Sequence, residues 1–170
     1  MKHSTAVVIL NWNGKEHLSS FLPSVVKHSV DLAKVYVVDN GSTDDSMSIA
    51  EAYQEIECIY LEENHGFSKG YNLGLQQIEA QTYVLLNSDV EVSENWISPV
   101  LNYMDDHNVI ACQPKILSYK QPDHFEYAGA TGGFLDMDGF VFCAGRIFDQ
   151  HEKDEGQYDT KQEIFWASGA

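Results

Sequence analysis

One short apolar run of the sequence ends at a carboxylate. Residues 84–86 (V-L-L) are followed by Asn87, Ser88 and Asp89, and a second acid, Glu91, comes shortly after them. A run of this kind is typical of a strand that is buried on both faces of a sheet. Because ligands bind outside the carboxyl ends of the strands in an open α/β sheet, a carboxylate here predicts a ligand site.

Three earlier apolar runs end in the same polar way. Asn, Asp and Gly are ordinary turn residues, so each end taken alone favours a simple turn. The four ends together favour a binding edge, because parallel strands bring their carboxyl ends to one edge of the sheet. The earlier ends are formed by Asn11, Trp12 and Asn13, by Asp39, Asn40 and Ser42, and by Asn64, His65 and Gly66.

The side chains at this edge suit a nucleotide bound together with a cation. Trp12 offers a face for a planar ring, and Asp39 can accept hydrogen bonds from imide or hydroxyl donors. The segment from Gly66 opens a predicted helix, whose free N–H groups can approach a phosphate. Asp89 and its two polar neighbours supply the hard oxygen ligands that Mg²⁺ and Mn²⁺ take. For His65, a phosphate contact and a cap role both stay open.

Composition narrows the classes of partner. The chain has 170 residues, with 26 acidic and 10 basic side chains, and its formal net charge is −16. This balance argues against nucleic acid, which needs clustered Lys and Arg. A phosphate-bearing ligand would need backbone N–H groups, a helix N-terminus or a cation to offset the repulsion. Cys58, Cys112 and Cys143 lack C-x-x-C spacing and are expected to be reduced core thiols.

The sequence also predicts where the protein acts. No apolar run approaches the roughly 18 residues of a membrane span, and the N-terminus lacks a signal-peptide pattern. We therefore expect a cytoplasmic protein. Association of the full-length protein with the inner face of the membrane, and homo-oligomerisation through apolar surface near Phe165 and Trp166, are open alternatives.

The elements that position these residues alternate between strand and helix. This alternation predicts right-handed crossovers and a mostly parallel sheet. Pro23 should kink or restart the first helix. Gly70 and Gly74 lie inside the third helix, where each costs about 1 kcal/mol relative to alanine, so they call for a packing or ligand reason. The predicted strands are 6–10, 35–38, 56–61, 84–86 and 109–112. The predicted helices are 15–28, a second one that is capped by one of residues 42–44 and ends at 53, then 67–78, and 96–106, which is capped by Ser93.

The pattern changes after Pro114. Asp138-Gly139 between apolar flanks is a strong hairpin signal. Residues 149–162 are polar and aperiodic and predict a loop, and residues 164–170 look like a strand-to-helix junction cut in half. The whole chain is expected to form one domain. Short strands are predicted at 115–119, 125–127, 134–135 and 140–147, with turns at Gly129 and 132–133.

Some nucleotide-binding folds are disfavoured by motifs that the sequence lacks. There is no G-x-G-x-x-G after the first strand and no G-x-x-x-x-G-K-[ST], which argues against a nicotinamide or flavin Rossmann domain and against a P-loop NTPase. H-E-x-x-H and C-x-x-C are also missing from the sequence, so structural or hydrolytic zinc is not expected.

Four ordered segments resemble the family 2 glycosyltransferases. They are V-V-I-L-N-W-N-G, V-V-D-N-G-S-T-D, N-H-G-F-S-K-G-Y-N-L-G and V-L-L-N-S-D-V-E-V. The closest resemblance is to a bacterial branch with rhamnosyltransferases and other enzymes of cell-surface polysaccharides. It implies a GT-A (Rossmann-like) α/β fold: a mostly parallel sheet flanked by helices, with short antiparallel strands in the C-terminal third.

The resemblance also implies which residues bind the donor. Asp89 would be the retained metal-binding acid of the family's D-x-D motif, where Asn87 replaces the first Asp and weakens the charge available to the cation. The nucleoside base would be held by Leu10, Asn11, Trp12 and Asp39. The nucleotide-sugar pocket would be lined by Asn64, Gly66, Phe67 and Asn72, with Asn87 and Ser88 beside Asp89.

The expected activity is inverting transfer of a sugar from a UDP- or dTDP-linked donor to a glycan or lipid-linked acceptor. The chain would be the donor-binding portion of a longer enzyme cut near Ala170, with the general base expected beyond that residue. Asp136 and Asp138 fit turn residues better than bases. A non-catalytic nucleotide-binding or assembly module is an alternative, because such a module would also lack a base. A nucleotidyltransferase is a further alternative, although 11–14 lack the basic residues that its loop needs.

Overall fold

The structure, a computed structural model, describes residues 4–105, 109–127 and 130–168. The chain divides into two compact units, one up to Pro99 and one from Val100 onward. The predicted helix end at Asp106, the turn at Gly129 and the chain end at Ala170 lie outside the described residues. The elements are β1 (Thr5–Asn11), α1 (Lys15–Ser29), β2 (Lys34–Asn40), α2 (Ser46–Glu51), β3 (Ile56–Leu61), α3 (Phe67–Leu75), β4 (Thr82–Asn87), α4 (Ile97–Met104), β5 (Gly133–Leu135), β6 (Val141–Cys143), β7 (Arg146–Ile147) and β8 (Gln150–His151).

A four-stranded sheet with the order β3-β2-β1-β4 forms the first unit, and every neighbouring pair in it is parallel. The central strands β1 and β2 are rich in β-branched residues, which fit a surface packed on both faces. Val7, Val8 and Val35 are accordingly fully buried. The predicted parallel sheet and its first four strands are confirmed, as are the short antiparallel strands in the C-terminal third. The expectation that residues 84–86 are buried on both faces is wrong, because β4 is an edge strand of this sheet and Leu85 is 39% exposed.

Helix α1 runs without a break through Pro23, so the predicted restart of the helix is wrong. Leu18, Leu22 and Val25 are buried at helical spacing and hold both halves of the helix to the core. Pro23 itself is exposed, so water can reach the carbonyl that loses its partner there. Burial of one continuous apolar stripe outweighs that loss.

The two glycines of α3 stand where the helix meets β2. A Cβ atom added at Gly74 would lie 2.7 Å from Cγ2 of Val38, and one at Gly70 would lie 3.0 Å from Nδ2 of Asn40. Val38 is fully buried and cannot move aside. Close packing of α3 against β2 is therefore the reason that glycine is found at these two helical positions. The helix ends at Leu75, earlier than predicted, because Ile78 N bonds to Leu75 O in a tighter turn.

Gly74→Ala should therefore destabilise the protein. Forcing a methyl group against Val38 costs about 1–3 kcal/mol, whereas replacing a helical glycine by alanine gains about 1 kcal/mol. We expect a net fall of up to about 2 kcal/mol in the free energy of unfolding, measured by urea denaturation. Lys69→Ala, at an exposed position of the same helix, is the control and should change it little. A more stable Gly74→Ala protein would contradict this packing account.

The starts of α2 and α4 agree only in part with the prediction. Helix α2 begins at Ser46, and Asp44, one of its three proposed caps, accepts a hydrogen bond of 3.1 Å from Ser46 N through its Oδ1 atom. Helix α4 begins at Ile97, one residue after the predicted start. The side chain of Ser42, a proposed cap of α2, instead accepts a hydrogen bond from Asn13 N. Asn95 has a φ of 59°, and this left-handed residue separates α4 from its proposed cap at Ser93.

The predicted strand at 109–112 is also wrong. These residues belong to no strand in the described part of the chain, and the side chain of Ile110 is 92% exposed. The sequence is β-branched and apolar, but strand propensity is realised only where a neighbouring strand offers pairing and burial.

The second unit carries two short antiparallel pairs, β5 with β6 and β7 with β8. The predicted hairpin is confirmed, and Asp136 Oδ1 closes it by accepting from Asp138 N and Phe140 N. Gly145, with a φ of 88° and Phe125 packed against it, interrupts the single strand predicted at 140–147. Of the strands predicted at 115–119 and 125–127, the structure forms the isolated bridge Leu117–Phe125.

The predicted loop at 149–162 is confirmed apart from β8. Two acids of this loop form ion pairs with Lys115, whose Nζ atom lies 2.6 Å from carboxylate oxygens of both Asp154 and Asp159. These hydrogen bonds raise the pKa of Lys115. The segment is thus anchored at both acids despite its lack of regular structure.

The three cysteines are free. Cys143 is buried and the other two are half-buried, so the prediction of core thiols holds fully for Cys143 alone. Burial raises the pKa of all three thiols. Among the described residues, no helix combines the length and the apolar character needed to cross a membrane.

Candidate functional site

A cleft of about 330 Å³ lies at the carboxyl ends of the parallel strands. Every strand of the four-stranded sheet contributes to it, either through its last residues or through the loop that follows. The cleft therefore lies in the place where an open α/β sheet binds its ligand. It is lined by Leu10, Trp12, His17, Asn40, Asn64, Gly66, Phe67, Asn87, Ser88 and Asp89.

Most of the predicted donor-binding residues line this cleft, but three do not. Asn11 and Asp39 are buried, 0% and 7% exposed, and are paired in the register of β1 with β2. Asn72 is exposed on α3 and is not part of the lining. His65 lines a different cleft, of about 420 Å³, together with Tyr60, Leu61, Glu62 and Glu63 at the edge strand β3.

Two residues of the lining, Asn40 and His17, were not among the predicted donor-binding residues, although Asn40 was placed at the binding edge. A signal existed for Asn40, since it ends β2 as Asn87 ends β4. His17 lies in the first turn of α1, directly after the loop that carries Trp12, and this position brings it to the cleft.

Trp12 lies on a loop that is tied to the next loop of the sheet. Asn13 Oδ1 accepts a hydrogen bond of 2.7 Å from Thr43 N, and Asn13 N donates to Ser42 Oγ at 2.9 Å. Lys15 N donates to Asp44 Oδ2 at 3.2 Å. Trp12 itself is 56% exposed. The loops after β1 and β2 thus form one unit that holds an aromatic face open to a planar ligand.

Asn11 holds the same two loops from below the surface. Its Nδ2 atom donates to Ser46 Oγ at 2.8 Å and to Ser42 Oγ at 3.2 Å. Its Oδ1 atom is buried and has no hydrogen-bond partner among the described residues. A buried acceptor of this kind needs a partner, and a Cβ at Gly14 would lie only 2.4 Å from it. The absence of a side chain at Gly14 therefore leaves room for this oxygen.

Asp39 stabilises the loop that follows β2. Its Oδ1 atom accepts a hydrogen bond of 3.1 Å from Ser42 N. This bond closes the turn at the end of the strand and accounts for the buried position of the carboxylate. The base contact that the family resemblance implies for Asp39 stays a prediction.

Asn40 orders the loop between β3 and α3. It is 3% exposed, and its Nδ2 atom donates to Asn64 Oδ1 at 3.0 Å and to Gly66 O at 3.1 Å. Its Oδ1 atom accepts from His65 N at 3.0 Å. A satisfied, buried amide of this kind specifies one conformation. Asn40 thereby fixes Gly66, whose φ is 75°, as the residue from which α3 begins.

Helix α3 directs its N-terminus at the cleft through Gly66 and Phe67. The first N–H groups of a helix have no partner within it and carry partial positive charge. Tyr71 anchors the helix to the sheet by donating to Leu86 O at 3.0 Å. Burial raises the pKa of Tyr71 to about 12, which keeps this phenol protonated, and therefore a donor, into the alkaline range.

Asn40→Asp should loosen this loop. A carboxylate still accepts from His65 N but cannot donate, and it places negative charge against the oxygens of Asn64 and Gly66. Losing buried partners in this way costs about 1–3 kcal/mol. We expect faster hydrogen exchange of the His65 and Gly66 amides, measured by NMR.

Asn102→Asp, which makes the same chemical change at an exposed position of α4, should leave those two amides unchanged. Unaltered exchange in Asn40→Asp would show that the loop does not depend on this side chain.

Comparison with known sequences identifies the family. The sequence model of the family described as "Glycosyl transferase family 2" matches residues 6–156. The chain belongs to this family.

Curated glycosyltransferases are similar over much of the chain. GlyG of Streptococcus pneumoniae serotype 4 is 22% identical over 136 residues, covering 78% of this chain and 45% of GlyG. The putative teichuronic acid biosynthesis glycosyltransferase TuaG of Bacillus subtilis is 25% identical over 107 residues, covering 61% and 42%. The poly(ribitol-phosphate) beta-N-acetylglucosaminyltransferase TarS of Staphylococcus aureus is 26% identical over 109 residues, covering 61% and 19%. The chain spans less than half the length of each.

Solved structures show the same fold. The mannosyltransferase PcManGT from Pyrobaculum calidifontis, in complex with GDP-Man and Mn²⁺, matches with a TM-score of 0.57 and 19% identity, over 64% of this chain and 34% of that one. S. aureus TarS 1-349 with UDP-GlcNAc matches with a TM-score of 0.56 and 23% identity, over 71% and 39%. The predicted GT-A architecture is confirmed.

The residues of the cleft fit a divalent cation that the substrate helps to coordinate. Asp89 is exposed beside the half-buried Asn87 and Ser88, so one carboxylate and neutral oxygens are available. Within the described ranges, no group of three or more His, Cys, Asp or Glu side chains converges to hold a metal. Mg²⁺ and Mn²⁺ commonly bind through one or two carboxylates plus phosphates and water, and the cleft contains one carboxylate, Asp89, for such a site.

Proposed function

We propose that this chain is the donor-binding part of a glycosyltransferase that transfers a sugar, with inversion, from a nucleoside-diphosphate sugar to a cell-surface glycan or lipid-linked acceptor. It would work in the cytoplasm, at the inner face of the membrane, as a portion of a longer protein. The general base would lie beyond Ala170. The bacterial branch with rhamnosyltransferases is the proposed subgroup.

One observation carries the proposal: an aromatic face, a helix N-terminus and a carboxylate line the same cleft. Trp12 follows β1, Gly66 opens α3, and Asp89 follows β4. These groups suit a base, a diphosphate and a cation respectively. The cleft volume of about 330 Å³ is in the range of small-molecule sites, about 300–1,000 Å³.

Relatives support the class of donor and of acceptor. TarS is crystallised with UDP-GlcNAc and PcManGT with GDP-Man, so nucleoside-diphosphate sugars are bound by proteins with this fold. The names of TuaG and TarS refer to teichuronic acid and poly(ribitol-phosphate). We propose a UDP or dTDP donor, with Asp39 contacting the pyrimidine, and a polysaccharide acceptor.

In the proposed reaction the residues of this chain bind and orient the donor. Asp89, with oxygens of Asn87 and Ser88, would hold the divalent cation. When bound, this cation supplies positive charge that stabilises the departing diphosphate. The N–H groups at the start of α3 would contribute partial positive charge to the same phosphates. Trp12 would fix the base, which keeps the sugar at one place in the cleft.

Nucleotide binding should need both the cation and Asp89. We expect calorimetric titration with UDP or dTDP in the presence of Mn²⁺ to show binding, and expect Asp89→Ala to weaken it by roughly tenfold or more, because a charge-assisted contact is worth about 1.5–3 kcal/mol. GDP serves as the purine comparison.

Glu91→Ala is the matched control, since Glu91 is exposed close to Asp89 in the chain and is not part of the cleft lining. It should bind like the unaltered chain. Binding that survives Asp89→Ala unchanged, or that is lost equally in Glu91→Ala, would contradict the assigned site.

Trp12 should contribute by stacking. Stacking of a base on an aromatic side chain is worth about 1–3 kcal/mol, so Trp12→Ala should weaken UDP binding by roughly tenfold, whereas Trp12→Phe should retain most of it. Both substitutions alter an exposed side chain, so thermal unfolding should be nearly unchanged. Equal affinity for UDP in the unaltered chain and both variants would show that Trp12 does not stack on the nucleotide base.

A further inference from the structure

The second unit contains the single arginine of the chain, Arg146, in an unusual setting for so acidic a protein. Three lysines are paired with acids: Lys15 with Asp45, Lys115 with Asp154 and Asp159, and Lys153 with Asp123. Among the described residues, Arg146 is in no ion pair. Its guanidinium carbon lies instead 4.0 Å from the ring centroid of Tyr127.

The strand pair β7–β8 builds a platform around this arginine. Arg146 is directly opposite His151 in the antiparallel register, so the two side chains are on the same face. The ring of Tyr127 lies 5.8 Å from the ring of His151, tilted by 34°. Arg146, Tyr127 and His151 therefore form one continuous surface, which we term the arginine platform.

The arginine platform is fixed to the core of the second unit. His151 Nδ1 is 3.0 Å from Phe125 O, so Nδ1 donates to this carbonyl and Nε2 is the ring nitrogen left for another partner. Phe125 is fully buried and its N–H donates to Glu152 O at 3.0 Å. Tyr127, by contrast, is 53% exposed. The arginine platform is thus held in place by buried residues and presents polar and aromatic groups to solvent.

This arrangement has the chemistry of an anion and sugar site. A guanidinium that lies over a ring is held by the ring's face, while its N–H donors point outward in its own plane. These donors can bind a carboxylate or a phosphate through paired hydrogen bonds. The exposed part of Tyr127 offers an apolar face with a hydroxyl beside it, which suits the face of a sugar ring.

We propose that Arg146, Tyr127 and His151 bind a negatively charged sugar unit, one that carries a carboxylate or a phosphate, of the acceptor glycan. The inference rests on the proposed function, because that function supplies a glycan acceptor. It assigns this contact to residues outside the donor cleft. A purely structural stack of Arg146 on Tyr127 is the competing explanation, and it predicts no ligand.

The test is an NMR titration of the whole 170-residue chain with glucuronate, glucose 6-phosphate, glucose and inorganic phosphate. The Arg146 Nε–H signal should shift in a saturable way with one or both charged sugars, and which of them binds tells carboxylate from phosphate. Glucose should cause no shift. No response to either charged sugar, or an equal response to glucose or to inorganic phosphate alone, would overturn the proposal.

Variants separate binding from folding. Arg146→Lys keeps the charge but loses the paired donors, so affinity for the charged sugar, followed by backbone amides, should fall roughly tenfold. Lys161→Gln is the control, because Lys161 forms a second cation–ring contact among the described residues, with Nζ 4.3 Å from the centroid of Tyr103. Equal affinity in Arg146→Lys, or equal loss in both variants, would contradict the site. UDP binding measured on the same samples reports the donor cleft independently, so failure of one proposal is not failure of the other.

Discussion

Parallel pairing of β1 with both β2 and β4 is the constraint on which the cleft depends. The register places Asn11 beside Asp39 and Leu10 beside Asn87, so the polar ends of different strands meet at one edge. A slip of one residue would turn every side chain of a strand to the opposite face. Burial of the valine-rich strands on both sides therefore does more than stabilise the unit: it aligns the residues that are proposed to bind the donor.

Side-chain amides then convert strand ends into a shaped surface. Asn13 joins the loops after β1 and β2, whereas Asn40 joins the end of β2 to the loop before α3. Asn13 accepts through its carboxamide oxygen and donates through its backbone N–H, whereas the carboxamide of Asn40 both donates and accepts, which a carboxylate cannot do. The asparagines that are conspicuous in the sequence are thus divided between structural and proposed ligand-binding tasks.

The sequence was sufficient to predict the parallel sheet, the four strand ends and most of the cleft lining, because apolar runs and parallel topology determine them directly. Packing details were not predictable. Which of the three proposed α2 caps is used could not be predicted: Asp44 binds the first amide of the helix, whereas Ser42 is bound by Asn13 from another loop, a contact between positions distant in the chain. The strand at 109–112 failed since apolar β-branched residues form a strand only where a partner exists. Gly74 was recognised as unusual, but only the structure shows Val38 against it.

The central claim is that the four strand ends form one nucleotide–cation site. It is tested most directly by mapping UDP and Mn²⁺ on the backbone amide spectrum of the chain. The account predicts UDP-induced shifts at Trp12, Gly66 and Phe67, and paramagnetic broadening that is strongest at 87–89 and requires UDP. Broadening that is independent of UDP and strongest in the acidic segment 149–163 would contradict it.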